Sequence, residues 1–307
     1  MSARVLDPAE VARSFAEEVR GRVAALGRPL RIVGLLTQAD GPAATYARYA
    51  RQGAESVGIK FDLVQPAPEE VVTAIQRANV DPDVHGIFLY YPLLGAEEDR
   101  WLRELVDPRK DIEGMHSFWS RNLYENLRWL DGAHTHKAIL PCTPLAILKL
   151  LDAAGIASLA APGPLPLSGV TACVINRSDI VGRPLAAMLA NDGAEVVSLD
   201  LDGTQVFEPA GRHLTHTVRD SDETRAEALA RAEVVITGVP SREFRLVAGE
   251  EIRAGAICVN FSQFRNFDDS IRAVASVFVP RVGPMTVTMA TRNLTRLAGM
   301  AGAPSSG

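Results

Sequence analysis

Apolar side chains recur at helical spacing after Asp7-Pro8-Ala9-Glu10, at Val11, Phe15, Val19, Val23 and Leu26, so the chain opens on an amphipathic helix. The tetrad before it has an acceptor, a proline at the first helical position and a carboxylate three residues on, the pattern of a capping box. Arg31 to Leu36 then reads as a buried strand. A helical stretch from Pro42 to Val57 turns at Gly58, Phe61 to Val64 is a short strand, and Glu69 to Asn79 is helical. Gly86 to Tyr90 is a further strand and ends at Tyr91-Pro92. Strands alternating with helices imply a mostly parallel sheet covered by helices.

The pattern weakens between Asp111 and Lys137, where Phe118, Trp119 and Trp129 lie, and resumes with a helix from Pro144 to Ala154. Ala161 to Gly169 is rich in Pro and Gly and reads as a hinge or exposed loop. A second alternation follows: strand Val170 to Ile175, helix Gly182 to Asn191 and strand Glu195 to Leu199. Gly203 to Arg225 is polar and reads as a surface excursion, after which Val234 to Thr237 and Ala256 to Asn260 are strands. The stretch from Val287 to Leu297 is helical.

At 307 residues the chain exceeds one typical core, so two domains are expected. A net charge of −5 argues against nucleic acid as the main ligand. No apolar run is long enough to span a membrane, and the charged stretch from Met1 to Leu26 lacks the core of a signal peptide. Cys142, Cys173 and Cys258 are far apart and imply neither a zinc site nor a disulfide framework. A cytoplasmic protein is expected. Only Lys60, Lys110, Lys137 and Lys149 are lysines, which leaves few candidates for a catalytic amine.

Strand Val170–Ile175 runs through Asn176-Arg177-Ser178-Asp179-Ile180-Val181-Gly182 into a helix. There a doubly wound fold presents main-chain N–H groups and a positive helix end to a pyrophosphate. Only Gly182 of the usual three glycines is present, so an ordinary capped turn is the competing reading. The next strand ends at Asp200, about 20 residues on, where a carboxylate accepts from the adenosine ribose. Asp202 is close by, and no Arg or Lys lies between Asp200 and Val206. Negative charge there repels a 2′-phosphate, so NAD is expected rather than NADP.

Matching runs at Ala43–Gly58, Gly86–Leu94, Lys110–Gly114, Pro141–Pro144, Arg177–Pro184 and Val282–Thr286 occur in matching order. In these the chain resembles the methylenetetrahydrofolate dehydrogenase family, and within it the monofunctional NAD-dependent branch. The resemblance implies oxidation of 5,10-methylenetetrahydrofolate to 5,10-methenyltetrahydrofolate and a homodimer of α/β chains. It also implies two α/β domains with a cleft between them, the second a Rossmann-like doubly wound parallel sheet. A folate-binding catalytic domain is expected over 1–149, joined by a C-terminal helix over 284–307, and an NAD-binding domain over 150–283.

The resemblance places Tyr46 on the family's active-site tyrosine, and Tyr90, Glu113 and Pro284 among the substrate-binding positions. On the cofactor side it adds Gly238 to Asn176, Arg177, Ser178, Ile180, Val181, Gly182, Asp200 and Asp202. Bifunctional members carry a lysine four residues after the tyrosine, where this chain has Ala50. Their glutamine is replaced by Tyr90, the second aspartate of Lys-Asp-Val-Asp-Gly by Glu113, a glycine by Asn176, and Pro-Gly-Gly by Val279-Pro280-Arg281. Hydride loss needs alignment and no base, whereas hydrolysis needs water activation and proton movement. With Ala50 the first activity is expected and the second is not.

Cys142 lacks a histidine partner and reads as structural, and His134-Thr135-His136 reads as a solvated pair rather than a metal site. Three other functions compete. They are a bifunctional enzyme with a relocated base, a non-catalytic folate- or NAD-binding protein, and a two-domain dehydrogenase acting on another substrate.

Overall fold

The computed structural model of the chain describes residues 2–210 and 215–301, which fall into two compact units. The elements begin with β1 (Arg4–Val5) and α1 (Pro8–Leu26). One unit comprises Ala12–Asn122, Leu127–Cys142 and the chain from Pro284 onward. Its strands are β2 (Leu30–Leu35), β3 (Ile59–Val64) and β4 (Gly86–Leu89), all parallel, in the order β3-β2-β4. Between them run α2 (Pro42–Ser56) and α3 (Val71–Val80), with α4 (Ala96–Leu105) and α5 (Ser117–Tyr124) after β4.

Helix α2 starts at Pro42, where the missing N–H costs nothing, and buries a stripe of alanines: Ala44, Ala47, Ala50 and Ala54. Methyl-sized side chains let the helix lie close to its neighbours. A Cβ on Gly53 would come within 2.7 Å of Val287, so α2 meets the C-terminal helix there. On another face of the sheet, Leu35, Ile75, Ile87 and Leu102 are almost wholly buried. At about 2 kcal/mol for each such side chain, these contacts fix α3 and α4 on the sheet. Helix α4 breaks the sequence expectation, which left its segment unassigned. Its N-terminal turn carries Glu97, Glu98 and Asp99, and Trp101 is 53% exposed, so little apolar periodicity marks it.

The other unit takes α6 (Cys142–Ala154) from Thr143 on, then β5 (Thr171–Ile175), α7 (Gly182–Asn191) and β6 (Glu195–Asp200). There follow β7 (Gly203–Pro209), β8 (His216–Ser221), α8 (Arg225–Arg231), β9 (Val234–Thr237), β10 (Ile257–Asn260) and β11 (Val277–Val279). Helix α9 (Gly283–Ala301) leads back into the first unit. The eight strands are ordered β1-β11-β10-β9-β5-β6-β7-β8, parallel from β1 to β6 and antiparallel over the last two pairs. Residues Ala172 to Val174 and Val234 to Ile236 are wholly buried, as expected of parallel strands covered on both faces.

Two expectations need correction. The segment Gly203 to Arg225 is not merely a surface excursion, because β7 and β8 add a hairpin to the sheet edge. Residues 211–214 of that stretch lie outside the described residues. Its polar sequence reflects an outer edge strand, β8, whose middle four residues are all exposed. The start of the chain, assigned with 1–149, instead belongs to the eight-stranded unit through Val11. Strand β1 pairs with β11, Arg4 opposite Val277 and Val5 opposite Phe278, a contact that two residues of strand cannot announce in sequence. Residues 302–307 of the expected terminal helix also lie outside the described residues.

Candidate active site

In the three-stranded unit the structure gathers Tyr46, Tyr90 and Glu113. The Tyr46 ring meets Tyr90 edge-on at 5.9 Å and Phe88 at 6.1 Å, while Phe88 and Tyr90 stack at 4.6 Å. Phe88 was not singled out by sequence, yet its parallel stacking sets the plane of Tyr90. The hydroxyls of Tyr46, Tyr90 and Tyr91 are all buried without a well-formed hydrogen bond. An unmet buried hydroxyl costs about 1–3 kcal/mol, so the Tyr90 hydroxyl beside Tyr46 is suited to a polar partner. Burial pushes all three phenols well above their ordinary range, and the neighbouring Glu113 carboxyl adds to this. At Tyr46 the hydroxyl of Thr286 partly offsets the burial.

Glu113 is 7% exposed and its Oε2 accepts from the Leu89 N–H at 2.8 Å, at the end of β4. Burial pushes this carboxyl well above the usual carboxylate range, offset in part by that hydrogen bond. The loop carrying Glu113 is built by Asp111, whose carboxylate accepts from the N–H groups of Glu113, Gly114, Met115 and His116 at 2.7–3.1 Å. Gly114 has φ +72°, and a Cβ there would lie 2.7 Å from the Leu140 carbonyl carbon. The loop thus packs directly on the backbone at Leu140, and the Cys142 N–H donates to the Glu113 carbonyl at 3.0 Å.

Asn293 on α9, wholly buried, donates to the carbonyls of Ile112 at 2.9 Å and Leu140 at 3.0 Å. Sequence reasoning passed over it. Its signal was an amide on the apolar face of a helical run, which a core tolerates only with partners. Pro284 is half-buried in the first turn of α9, two residues before Thr286, and its carbonyl accepts from the Thr288 hydroxyl. Cys142, the cysteine nearest this cluster in sequence, is buried and forms no disulfide.

All four lysines are engaged elsewhere. Lys110 donates to the carbonyls of Ala78 and Asp81 at 3.0 and 2.7 Å, closing the end of α3. Lys60 pairs with Asp62, Lys149 with Asp152, and Lys137 lies 4.9 Å above the Trp129 ring. Ala50, one turn beyond Tyr46, is 2% exposed.

In the eight-stranded unit the expected cofactor residues cluster at the C-terminal ends of β5, β6 and β9. Sheet order reverses between β5 and β9, the crevice where such sheets receive ligands. Asn176 has φ +89°, donates through Nδ2 to the Gly238 carbonyl at 2.7 Å and accepts from the Ser178 N–H at 3.0 Å. Gly182 begins α7, and a Cβ there would fall 1.8 Å from the Asn176 carbonyl oxygen. The turn can therefore close only on glycine. Ile180 and Val181 donate no main-chain hydrogen bond among the described residues, so two N–H groups at the positive end of α7 are open to an anion. These donors fit a pyrophosphate. Gly238 is equally constrained, since a Cβ would enter the Phe261 ring at 1.9 Å.

Asp200, exposed at the end of β6, accepts from the Arg177 N–H at 2.5 Å and the Leu201 N–H at 2.7 Å. Arg177 turns its side chain inward. Its guanidinium donates to the carbonyls of Ser198 and Gly203 and pairs with Asp202, whose own side chain is 74% exposed. Sequence inspection had found no cation between Asp200 and Val206; the structure brings one there from the preceding turn.

Among the described residues no three His, Cys, Asp or Glu side chains are placed to hold a metal ion, and no helix is long and apolar enough to cross a membrane. His136 is held by Asp131 at 2.7 Å and His134 stacks on Trp129.

Residues 6–113 match the model of the tetrahydrofolate dehydrogenase/cyclohydrolase catalytic domain, and residues 141–301 that of the family's NAD(P)-binding domain. A Dictyostelium discoideum protein named methylenetetrahydrofolate dehydrogenase [NAD(+)] is 40% identical over 95% of this chain and 93% of its own length. The structure of the NAD-dependent 5,10-methylenetetrahydrofolate dehydrogenase from Saccharomyces cerevisiae superposes with a TM-score of 0.90 at 38% identity, covering 97% of each chain. A bifunctional protein FolD from Azoarcus sp. is more distant, 31% identical over 95% of both chains. With both domains matched and whole-length relatives at this identity, the chain belongs to the tetrahydrofolate dehydrogenase/cyclohydrolase family.

Proposed function

We propose that this protein oxidises 5,10-methylenetetrahydrofolate to 5,10-methenyltetrahydrofolate with NAD, and does not hydrolyse the product. The observation that carries this reading is the buried cluster of Tyr46, Tyr90 and Glu113 with Ala50, one turn beyond Tyr46, in place of an amine.

Hydride loss from the methylene bridge leaves a cation shared by two flanking nitrogens, and no proton has to be taken. A site of neutral tyrosines and a carboxyl of raised pKa suits that step. Tyr46 and Tyr90 hold the folate by ring contact and through their hydroxyls. The pterin's amino and ring N–H groups would favour the ionised form of the Glu113 carboxyl, fixed by Leu89, which then accepts from them. Pro284 borders the substrate at the start of α9. NAD, when bound, accepts the hydride. The N–H groups of Ile180 and Val181 would hold its pyrophosphate, with Asn176, Arg177, Ser178 and Gly182 shaping the turn. Gly238 packs on Phe261 beside the turn, and Asp200 and Asp202 would meet the adenosine ribose. Catalysis then rests on alignment.

Hydrolysis of the methenyl product would need a positioned acid–base group. Ala50 supplies none, and the lysine amines are committed to carbonyls, carboxylates and an indole. The bifunctional alternative therefore lacks the lysine that the bifunctional members carry, and whole-chain similarity favours the NAD(+) relatives over the bifunctional one. The reading extends to a homodimer acting in the cytoplasm. Three buried cysteines outside any disulfide fit a reducing compartment, and sedimentation would report the dimer. The test is a paired assay on purified protein. Methylenetetrahydrofolate should yield methenyltetrahydrofolate only with added NAD, and added methenyltetrahydrofolate should decay at its uncatalysed rate. Enzyme-dependent decay would overturn the monofunctional reading.

A further inference from the structure

We infer that the Arg177 side chain is a positioning group that sets the cofactor preference by fixing the β6–β7 hairpin that carries Asp200, rather than a group that touches the cofactor. The inference rests on the NAD reading above.

A charged side chain on a nucleotide-binding turn is expected to reach outward to phosphate. Here it does the reverse. The Arg177 side chain is 2% exposed and lies under the loop between β6 and β7. Nη1 donates to the Ser198 carbonyl at 2.8 Å and the Gly203 carbonyl at 3.2 Å, and Nη2 to Gly203 at 3.2 Å and to the Asp202 carboxylate. Ser198 lies on β6 and Gly203 opens β7, so one planar guanidinium joins both sides of the hairpin whose tip carries Asp200 and Asp202. The same residue's main-chain N–H donates to Asp200 at 2.5 Å. Both acidic residues at the cofactor's ribose end are thus tied to Arg177, one through its backbone and one through its side chain.

The consequence is electrostatic as well as mechanical. Arg177 and Asp202 cancel locally, and the charge left outward at the end of β6 is that of Asp200. Burial also keeps the cation from presenting donors where a 2′-phosphate would sit. A lysine could not bridge Ser198, Gly203 and Asp202 at once, because its three donors diverge from a single atom.

Epistasis distinguishes this role from a general structural one. Affinity for NAD and NADP is measured by calorimetry on the full chain, without folate, for Asp200→Asn, Arg177→Met and the double variant. Asp200→Asn and Arg177→Met should each weaken NAD by about tenfold, the effect of losing a charged hydrogen bond. The double variant should be no weaker than the weaker single, because the Arg177 side chain acts by fixing the hairpin that presents Asp200. Arg177→Lys should recover part of the loss, and the folate KM should stay within about twofold of the parent in every variant. Multiplying losses in the double variant, or an Arg177→Met protein that binds NAD like the parent, would overturn the inference. A parent chain that binds no NAD would overturn both this inference and the function it rests on.

Discussion

The Asn176 side chain donates to the Gly238 carbonyl at 2.7 Å and so bridges the ends of β5 and β9, the two strands between which sheet order reverses. That bridge sits where the cofactor is proposed to cross the sheet. It is maintained at a cost, because Asn176 adopts φ +89°, a region that disfavours side chains. Asn176→Gly should relieve the backbone while losing the bridge, and Asn176→Ala should lose the bridge and keep the strain. The glycine variant should therefore melt above the alanine variant by roughly 1 kcal/mol, while both bind NAD several-fold more weakly than the parent. Equal stability of the two would show that the backbone conformation carries no penalty.

Gly182 and Gly238 predict different outcomes for the same substitution. In Gly182→Ala the new methyl meets the Asn176 carbonyl oxygen at 1.8 Å, which is backbone and cannot swing away. A loss of stability of about 1–3 kcal/mol and at least tenfold weaker NAD binding are expected. In Gly238→Ala the clash is with the Phe261 ring, a half-buried side chain that can move or be shortened. Adding Phe261→Leu should restore NAD binding to Gly238→Ala, whereas no side-chain truncation should restore it to Gly182→Ala. Calorimetric titration with NAD reads both.

Glu113 gives stability a pH dependence whose sign follows from its burial. Its carboxyl titrates well above the usual range in the folded chain and within that range when unfolded. The folded state therefore favours the protonated form. That contribution is fully present below the unfolded pKa, near 4.3, and is lost as pH rises toward the folded value. Glu113→Gln keeps an acceptor for the Leu89 N–H and removes the titration. The variant should be more thermostable than the parent at pH 8, with the gap closing toward pH 4, while its folate KM rises. A gap that grows on acidification would show Glu113 to be ionised in the folded protein.

His216 works in the opposite sense. Its ring stacks on Phe207 at 5.7 Å and its Nδ1 bonds the Asn191 side chain at 2.9 Å, and burial lowers its pKa. It is neutral when folded, so its share of stability is present above about pH 6.5 and lost as pH falls through the folded value. His216→Gln should flatten the melting temperature between pH 5 and 7 and leave the profile above pH 7.5 unchanged. A parallel shift at all pH values would assign the effect to packing alone.

Much of this was legible in the sequence, because the relevant signals are local. Val234–Thr237 and Gly182–Asn191 were readable to the residue, from an apolar run and from a helix begun by glycine. Tyr46, Tyr90 and Glu113 were named from motif positions, and they meet because each lies at an end or face that the parallel β2–β4 pairing brings together. What escaped was set by distant partners. Asn293 matters through Ile112 and Leu140, 181 and 153 residues away, and no local pattern announces such a pairing. Strand β8 escaped because an edge strand needs no apolar alternation. Arg177 was named correctly as a position, but the inward direction of its side chain depends on Gly203, 26 residues on.

The central claim is that the exposed Asp200 carboxylate, held by Arg177, makes this a folate dehydrogenase that uses NAD. Initial rates with 5,10-methylenetetrahydrofolate and each dinucleotide test it most directly. The value of kcat/KM should be at least about tenfold higher with NAD than with NADP, the factor expected from roughly 1.4 kcal/mol of charge repulsion. Asp200→Ser should narrow that ratio from both sides. Equal or faster turnover with NADP, or no turnover with either, would contradict the account.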